Sequence, residues 1–596
     1  MTERLKPAED KATHPRAPEP APAGKTELVA GASPYGWDAF ERWILFLDTL
    51  RERADNMIAH ERQGMPPLLD FDYETLLDAR TFKRPANYAL LRITRAGEDC
   101  WEDCVDEAKP PVIVIDPRAG HGPGIGGFKH DSEVGMAMHE CHPVYFVIFF
   151  PEPMPGQTLA DVHFALRAFV GEVARRHPNT APVLYGNCQA GWAATLLAAD
   201  CQGLTGPVVL NGSPLSYWSG EAGSSPMRML GALTGGSWAA HMVADLGDGR
   251  FDGAWLAQNF ENLQPEKAVW EKYATLYSHA DTERERFLEF ERWWNGFYTL
   301  SREEILAITE NLFIGNRLEQ GEMQLDAHCT IDLNRISNPI VVFASRGDNI
   351  TPPQQALGWI ARLYPDTAAL KAAGQRIVYL THEDIGHLGI FVSGSVARRY
   401  HRAILGSLEE IDALAPGLYE MVIAEPAKGT KGKARKADIR FEPRDVADLG
   451  IESDDAVLEQ VARVSRINES AYSAFLGPWL RAASTPASAD ALRALHPMRW
   501  TRTMFSERVN PWMALVKNAA ETMRETRQPL ADDHPAIRAE RALLASTGEG
   551  LAAWRKGRDA WVSLWFRTIY GNPFDGIAPA LRNTQATTTD TPTDKE

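Results

Sequence analysis

Nowhere does the chain carry an apolar run approaching the about 20 residues that a membrane helix needs. Its longest, "VYFVIFF" at 144–150, is strand-sized, so no transmembrane helix is expected. Cysteine is scarce: six residues (Cys100, Cys104, Cys141, Cys188, Cys201, Cys329) among 596. That argues against a disulfide framework and for a reducing compartment. Positive charge is short as well, since 62 Lys and Arg against 79 Asp and Glu leave a net charge of −17. Nucleic acid and anionic membrane surfaces are thereby excluded as partners. The opening "MTERLKPAEDKATHPRAPEPAPAGK" lacks the apolar segment of a secretory signal and is biased to proline, alanine and charge, so disorder and a cytoplasmic address are expected. No repeat of solenoid period is present. Cys100 and Cys104 have a spacing that could suit two zinc ligands, but no second Cys/His pair is placed to complete a tetrahedral site. No metal or cofactor is expected.

What the chain does contain is a change of rhythm near residue 109. Before it lie a helical pattern, "WDAFERWILFLDTLRERADNMIAHE", and a connecting stretch. After it, short apolar segments recur between helical ones: "PVIVID" (111–116), "VYFVIFF" (144–150), "PVLYG" (182–186), "PVVLN" (207–211), "PIVVFA" (339–344) and "RIVYL" (376–380). Strands apolar on both faces and separated by helices predict a mostly parallel sheet covered on both sides. Leu159, Val162, Leu166, Phe169 and Val173, following Thr158 as N-cap, predict one covering helix. Roughly 100–200 residues per domain allow three or four packed units. The expected plan is a disordered 1–35, a helical extension 36–108, a core of 109–212 and 334–405, and a helical cap 213–333 carrying six tryptophans. A mostly helical 406–580 and an unfolded tail 581–596 complete it. "LYEMVIA" and "ADIRFEP" predict a hairpin around the basic "KGTKGKARK", which reads as a solvated tip in preference to a polyanion site.

The chemistry centres on "LYGNCQAGWAATLLAAD", 184–200. A nucleophile elbow is a Gly-x-nucleophile-x-Gly turn between strand and helix, with small flanks that let a strained backbone pass its neighbours. Gly186, Cys188 and Gly191 nearly fit, the second glycine being one residue late with Ala190 in its place. The alternative is that Cys188 is merely a small buried hydrophobe. Amides at the start of the following helix favour a thiolate. In this arrangement the acid and the histidine follow in chain order on later strand ends. "SRGDNITPP" supplies Asp348 and "LTHEDIGHLG" supplies His387, with His382 as a competing base in the same loop and Glu383 and Asp384 beside it. Oxyanion donors are expected from the amide of Gln189 and from "DPRAGHGPGIGGF", where Arg118 and Ala119 lie closest to the strand end. That loop also reads Gly122-x-Gly124-x-x-Gly127. It begins six residues past Asp116 and is interrupted by Pro123, a poor match to a dinucleotide site.

Residues 109–405 resemble the polyhydroxyalkanoate synthases. The likeness is carried by the elbow and by "LSREEILAITENLFIGNRLEQGEMQLDAHCTIDLNRISNPIVVFASRGDNITPPQQA", which looks like that family's cap-to-core segment and acid turn. The resemblance implies an α/β-hydrolase fold with a helical cap insertion and N- and C-terminal helical extensions. It also implies a Cys188–His387–Asp348 triad that accepts acyl groups from 3-hydroxyacyl-CoA or from the polyester made from it. Asn349 stands where the synthases commonly have histidine, and "CQA" is similar to intracellular polyester depolymerases. Hydrolysis by the same triad is therefore one alternative, and a non-catalytic granule-associated scaffold another. Acyl-CoA or polyester, a second copy of the chain, and polyester granules are the candidate partners.

Overall fold

The computed structural model describes residues 33–95, 105–220, 225–424, 439–451 and 455–571. The two cysteines weighed as zinc ligands, the basic "KGTKGKARK" and both chain ends lie outside them.

Ten strands form one sheet: β1 (Asp72–Asp78), β2 (Tyr88–Arg95), β3 (Val112–Ile115), β4 (Val144–Phe149), β5 (Val183–Asn187), β6 (Val208–Asn211), β7 (Ile340–Ser345), β8 (Arg376–His382), β9 (Gly417–Ile423) and β10 (Ile439–Arg444). Their spatial order is β1-β2-β4-β3-β5-β6-β7-β8-β9-β10. The block from β4 to β9 is parallel, while β1, β2 and β10 pair antiparallel at the two edges. This order, with a strand-to-helix turn after the central β5, is an α/β-hydrolase-like fold.

Alternation along each strand sends successive side chains to opposite faces. Leu90, Ile113, Tyr145, Leu184, Leu210 and Val342 share one core. Leu91, Val114, Phe146, Tyr185, Val209 and Phe343 share the other. Four helices matter for the site: α1 (Pro34–Arg62), α2 (Glu133–His139), α3 (Leu159–Arg176) and α4 (Gln189–Asp200). The first core lies under α3 and α4, whose apolar positions it includes. As expected, α3 begins at Thr158, whose hydroxyl accepts from Asp161 N while Asp161 caps in return.

Three expectations need correction. The sheet does not end near residue 405, because β9 pairs parallel to β8 and the hairpin partner β10 becomes the edge strand. The segment before residue 109 is not wholly helical, because β1 and β2 extend the opposite edge. The insertion between β6 and β7 carries two short antiparallel pairs, Arg250–Asp252 with the distant Thr299–Ser301 and the hairpin of Gln324–Asp326 with Cys329–Thr330, besides its helices. Runs of two or three residues are too short to show a period of two. Cys141 is disulfide-bonded, whereas Cys188, Cys201 and Cys329 are free. Among the described residues no helix is long and apolar enough to cross a membrane.

The helices after residue 455 pack on α1 and on the cap, not on the sheet. Met513–Thr526 lies along α1, and Pro535–Tyr570 crosses the cap helix Pro226–Leu233.

Candidate active site

Cys188 sits between the end of β5 and the start of α4 with φ 49° and ψ −121°. A non-glycine residue holds this left-handed conformation at a cost of about 1–3 kcal/mol, so its surroundings must enforce it. They do so by contact. A Cβ on Gly186 would lie 2.7 Å from Ala190 O and from Gly191 Cα, and one on Gly191 would lie 1.9 Å from Ser213 Oγ. The late glycine of the motif is thus the one that meets β6's exit, and position 190 tolerates alanine. The Cys188 amide donates to Asn211 O at 2.8 Å, fastening the turn to the neighbouring strand.

The other two residues come to the same point. Asp348 lies three residues beyond β7, and one of its oxygens accepts from the amides of Ile350 and Thr351, both at 2.8 Å. Its second oxygen is 2.6 Å from His387 Nδ1, and His387 Nε2 is 3.2 Å from Cys188 Sγ. His387 opens a short helix, α5 (His387–Val392). All three side chains are buried, with Cys188 5% and His387 6% exposed. Burial opposes a charged imidazole, but the Asp348 carboxylate and the Cys188 sulfur prevail and raise His387 from 6.5 to about 10. The ring is therefore an imidazolium at neutral pH.

His382, the competing base, is occupied elsewhere. Its Nδ1 accepts from the amides of Asp384 and Ile385 at 3.0 and 3.2 Å, closing the loop after β8. Glu383 pairs with Arg346 at 3.3 Å on the surface. The Gly122–Gly127 stretch also resolves. Gly124 N and Gly126 N donate to the Asp116 carboxylate at 2.6 and 3.0 Å, so the loop folds onto its own strand end. A Cβ on Gly122 would strike the Tyr298 ring, and one on Gly124 the Leu68 carbonyl. These glycines serve close packing and leave no opening for a pyrophosphate. Of the expected oxyanion residues, Gln189 opens α4, where amides have no helical partner. The Arg118 guanidinium is held by Asn87 Oδ1 at 2.7 Å, Thr299 O at 2.9 Å and Glu304 at 3.2 Å. Only the Arg118 backbone is thereby left to serve, as for Ala119.

A buried polar layer under the elbow was not anticipated. Asn211 Nδ2 donates to Asn187 Oδ1 at 3.0 Å and to Glu133 Oε1 at 3.2 Å. His401 accepts from Tyr185 O–H at 2.7 Å through Nδ1 and donates from Nε2 to Ile390 O at 2.8 Å, inside α5. Burial lowers His401 to about 4 and, joined by the nearby Asp116, pushes Glu133 well above 4.5. The strand carrying Cys188 and the helix carrying His387 are thus joined through neutral groups. The matching asparagines closing "LYGN" and "VVLN" were the available signal in the sequence.

Two cap tryptophans cover the oxyanion loop. Trp293 Nε1 donates to Gly122 O at 3.2 Å, and both Trp293 and Trp294 pack on the His121 ring, with centroids 5.0 and 4.4 Å away. They belong to the same apolar cluster as Cys188.

Residues 38–596 match the family described as "Protein of unknown function (DUF3141)", and the chain belongs to that family. A Rhizobium meliloti protein described as "Uncharacterized protein in ackA 5'region" is 44% identical over 567 residues, covering 93% of this chain and 76% of that one. Solved structures that overlap it include carboxylesterase CesB of Bacillus subtilis, with TM-score 0.32 and 10% identity over 58% of this chain and 96% of the esterase. The thioesterase domain from the curacin biosynthetic pathway overlaps with TM-score 0.30 and 12% identity, over 55% of this chain and 98% of that domain. The fold assignment rests on strand order and not on these overlaps.

Proposed function

From a Cys188–His387–Asp348 line at hydrogen-bond distances, we propose that this protein is a cysteine-nucleophile acyltransferase acting on 3-hydroxyacyl thioesters or on their polyester. The carrying observation is the elbow itself: a cysteine at φ 49° whose sulfur lies 3.2 Å from His387 Nε2. The resemblance of residues 109–405 to polyhydroxyalkanoate synthases supports the choice of acyl group.

The Cys188 thiolate attacks the thioester carbonyl carbon, forming a C–S bond and an oxyanion that the Gln189 amide and the Arg118 or Ala119 amide receive. The carbonyl reforms as the bond to the coenzyme A sulfur breaks, and His387 gives its proton to that leaving thiolate. Neutral His387, oriented by Asp348, then takes the proton from the hydroxyl of an incoming hydroxyacyl group. That oxygen attacks the acyl-enzyme carbon, and Cys188 leaves as thiolate beside the regenerated imidazolium.

Intact-protein mass spectrometry after mixing with 3-hydroxybutyryl-CoA tests this. The expected result is an added hydroxyacyl mass on the wild type, absent from Cys188→Ala, together with chain-extended product. Free acid as sole product reassigns the acceptor to water. A wild type that stays unmodified and consumes no thioester sinks the enzymatic reading and favours a scaffold.

A further inference from the structure

Away from the elbow, three donors of different kinds converge where the cap returns to the core. His163 lies on α3, Asp200 ends α4, and Cys329 belongs to the short hairpin of Gln324–Asp326 and Cys329–Thr330. Their ligand atoms all lie within 4.8 Å of one another. His163 Nε2 and Asp200 Oδ2 are already 3.0 Å apart. Nitrogen, oxygen and thiol sulfur in this combination suit a borderline-soft divalent ion. We propose that His163, Asp200 and Cys329 form a zinc site that staples the cap's return hairpin to α3 and α4, with a water in the fourth position.

The geometry needs little adjustment. Tetrahedral zinc with Zn–N and Zn–O near 2.0–2.2 Å and Zn–S near 2.3 Å spaces its ligands about 3.3–3.7 Å apart. Cys329 and Asp200 are only partly buried, which leaves room for that contraction, while His163 is fixed in the core at 3% exposure. Charge closes as well: the dication meets one thiolate and one carboxylate, and the thiol proton goes to solvent on binding. Arg167, the cation that pairs with Asp200 Oδ2 at 3.2 Å, has a half-exposed side chain that can swing into water.

A second cluster supplies a contrast. His241, Glu310 and Glu469 also converge, but Arg302 donates to His241 Nδ1 at 3.1 Å. That fixes the proton on Nε2, which faces Glu310 at 3.3 Å, and removes the lone pair a metal would need. Cys201, beside Asp200, is not among the converging ligand atoms and is 2% exposed.

The test is equilibrium dialysis of the full chain against micromolar Zn²⁺ followed by elemental analysis. Wild type and His241→Gln are expected to retain one zinc per chain. Cys329→Ser and His163→Gln are expected to retain at least tenfold less, with unchanged circular dichroism. Cobalt loading should give a thiolate charge-transfer band that Cys329→Ser abolishes, a readout independent of catalysis. Zinc retention by both ligand variants at the wild-type level overturns the proposal, as does a folded wild type that retains none. Should a ligand variant misfold, Asp200→Asn with the cobalt spectrum decides instead: an unchanged band overturns the assignment.

Discussion

The elbow and the outer shell are both buried, yet they are held by opposite means. Around Cys188 the backbone is fixed by parallel strands, by glycines with no room for a Cβ, and by the neutral chain through Asn187, Asn211, Glu133 and His401. In the shell, where α1 meets the cap and the C-terminal helices, ion pairs add to small apolar clusters. Arg527 reaches Asp38, Glu41 and Asp281 at 3.0, 3.1 and 2.8 Å. Arg42 joins Asp38 to Glu540 on the last long helix, and Arg53 with Lys272 grips the buried Glu291 at 3.1 and 2.9 Å. Placing a sulfur to within a hydrogen bond of an imidazole requires sheet geometry. The shell helices dock through such pairs added to small apolar clusters, Phe46 and Leu50 with Leu276 and Phe287, and Leu45 with Ala280 and Ala520.

The sharpest way to break this comparison is at His387. His387→Ala should lower acyl transfer by about 10²–10⁴-fold, the usual range for a positioned proton carrier. The unfolding midpoint at neutral pH should fall as well, because the buried Asp348 carboxylate loses its charged partner and keeps only its two backbone amides. A rate within a few-fold of wild type, measured with 3-hydroxybutyryl-CoA, would show that the imidazole is not the proton carrier.

The difference between the two regions also explains what could be read in advance. Each sheet-borne part of the site has a local mark: "GNCQAG" for the turn, Asp348 just past one apolar strand, His387 just past the next. Chain order on successive strand ends then brings them together without further information. Even there a register question, glycine at 191 in place of 190, needed the approach of Ser213 to settle it. The shell has no such marks. Arg42 and Glu540 are 498 residues apart, and on a helix either reads as an ordinary solvated charge. The hairpin of β9 and β10 was anticipated but not its place in the sheet beside β8, and β1 and β2 were read as connection because β1, largely exposed at the edge, lacks the apolar run that marked the central strands.

A second break is aimed at the shell. Glu291 is 1% exposed and accepts from Arg53, Lys272 and the Asn295 amide. Removing one partner of a buried charge cluster leaves uncompensated charge, at about 3–5 kcal/mol. Glu291→Gln should therefore lower the calorimetric unfolding midpoint while Cys188 still accepts an acyl group at the wild-type rate. An unchanged midpoint would mean that the ion pairs there are incidental. A lost acylation would mean that shell and elbow are one mechanical unit.

The smallest effect, and the one that separates the regions most finely, is the dependence of stability on pH. His387 is raised from 6.5 to about 10 in the folded protein. Its contribution is complete below about 6.5 and lost as pH climbs through 10, where the folded state gives up a proton that the unfolded state lacks already. Glu291 runs the other way. Burial opposes its charge, but Lys272 and Arg53 lower it from 4.5 to about 2. Its contribution is complete above about 4.5 and lost as pH falls through 2. Unfolding midpoints measured across both limbs should therefore decline on the alkaline side through the site and on the acid side through the shell. His387→Ala should flatten only the alkaline decline, and Glu291→Gln only the acid one. If either variant flattened both limbs, the two regions would share their protons, and a site and a shell with separate sets of titrating charges would no longer describe the molecule.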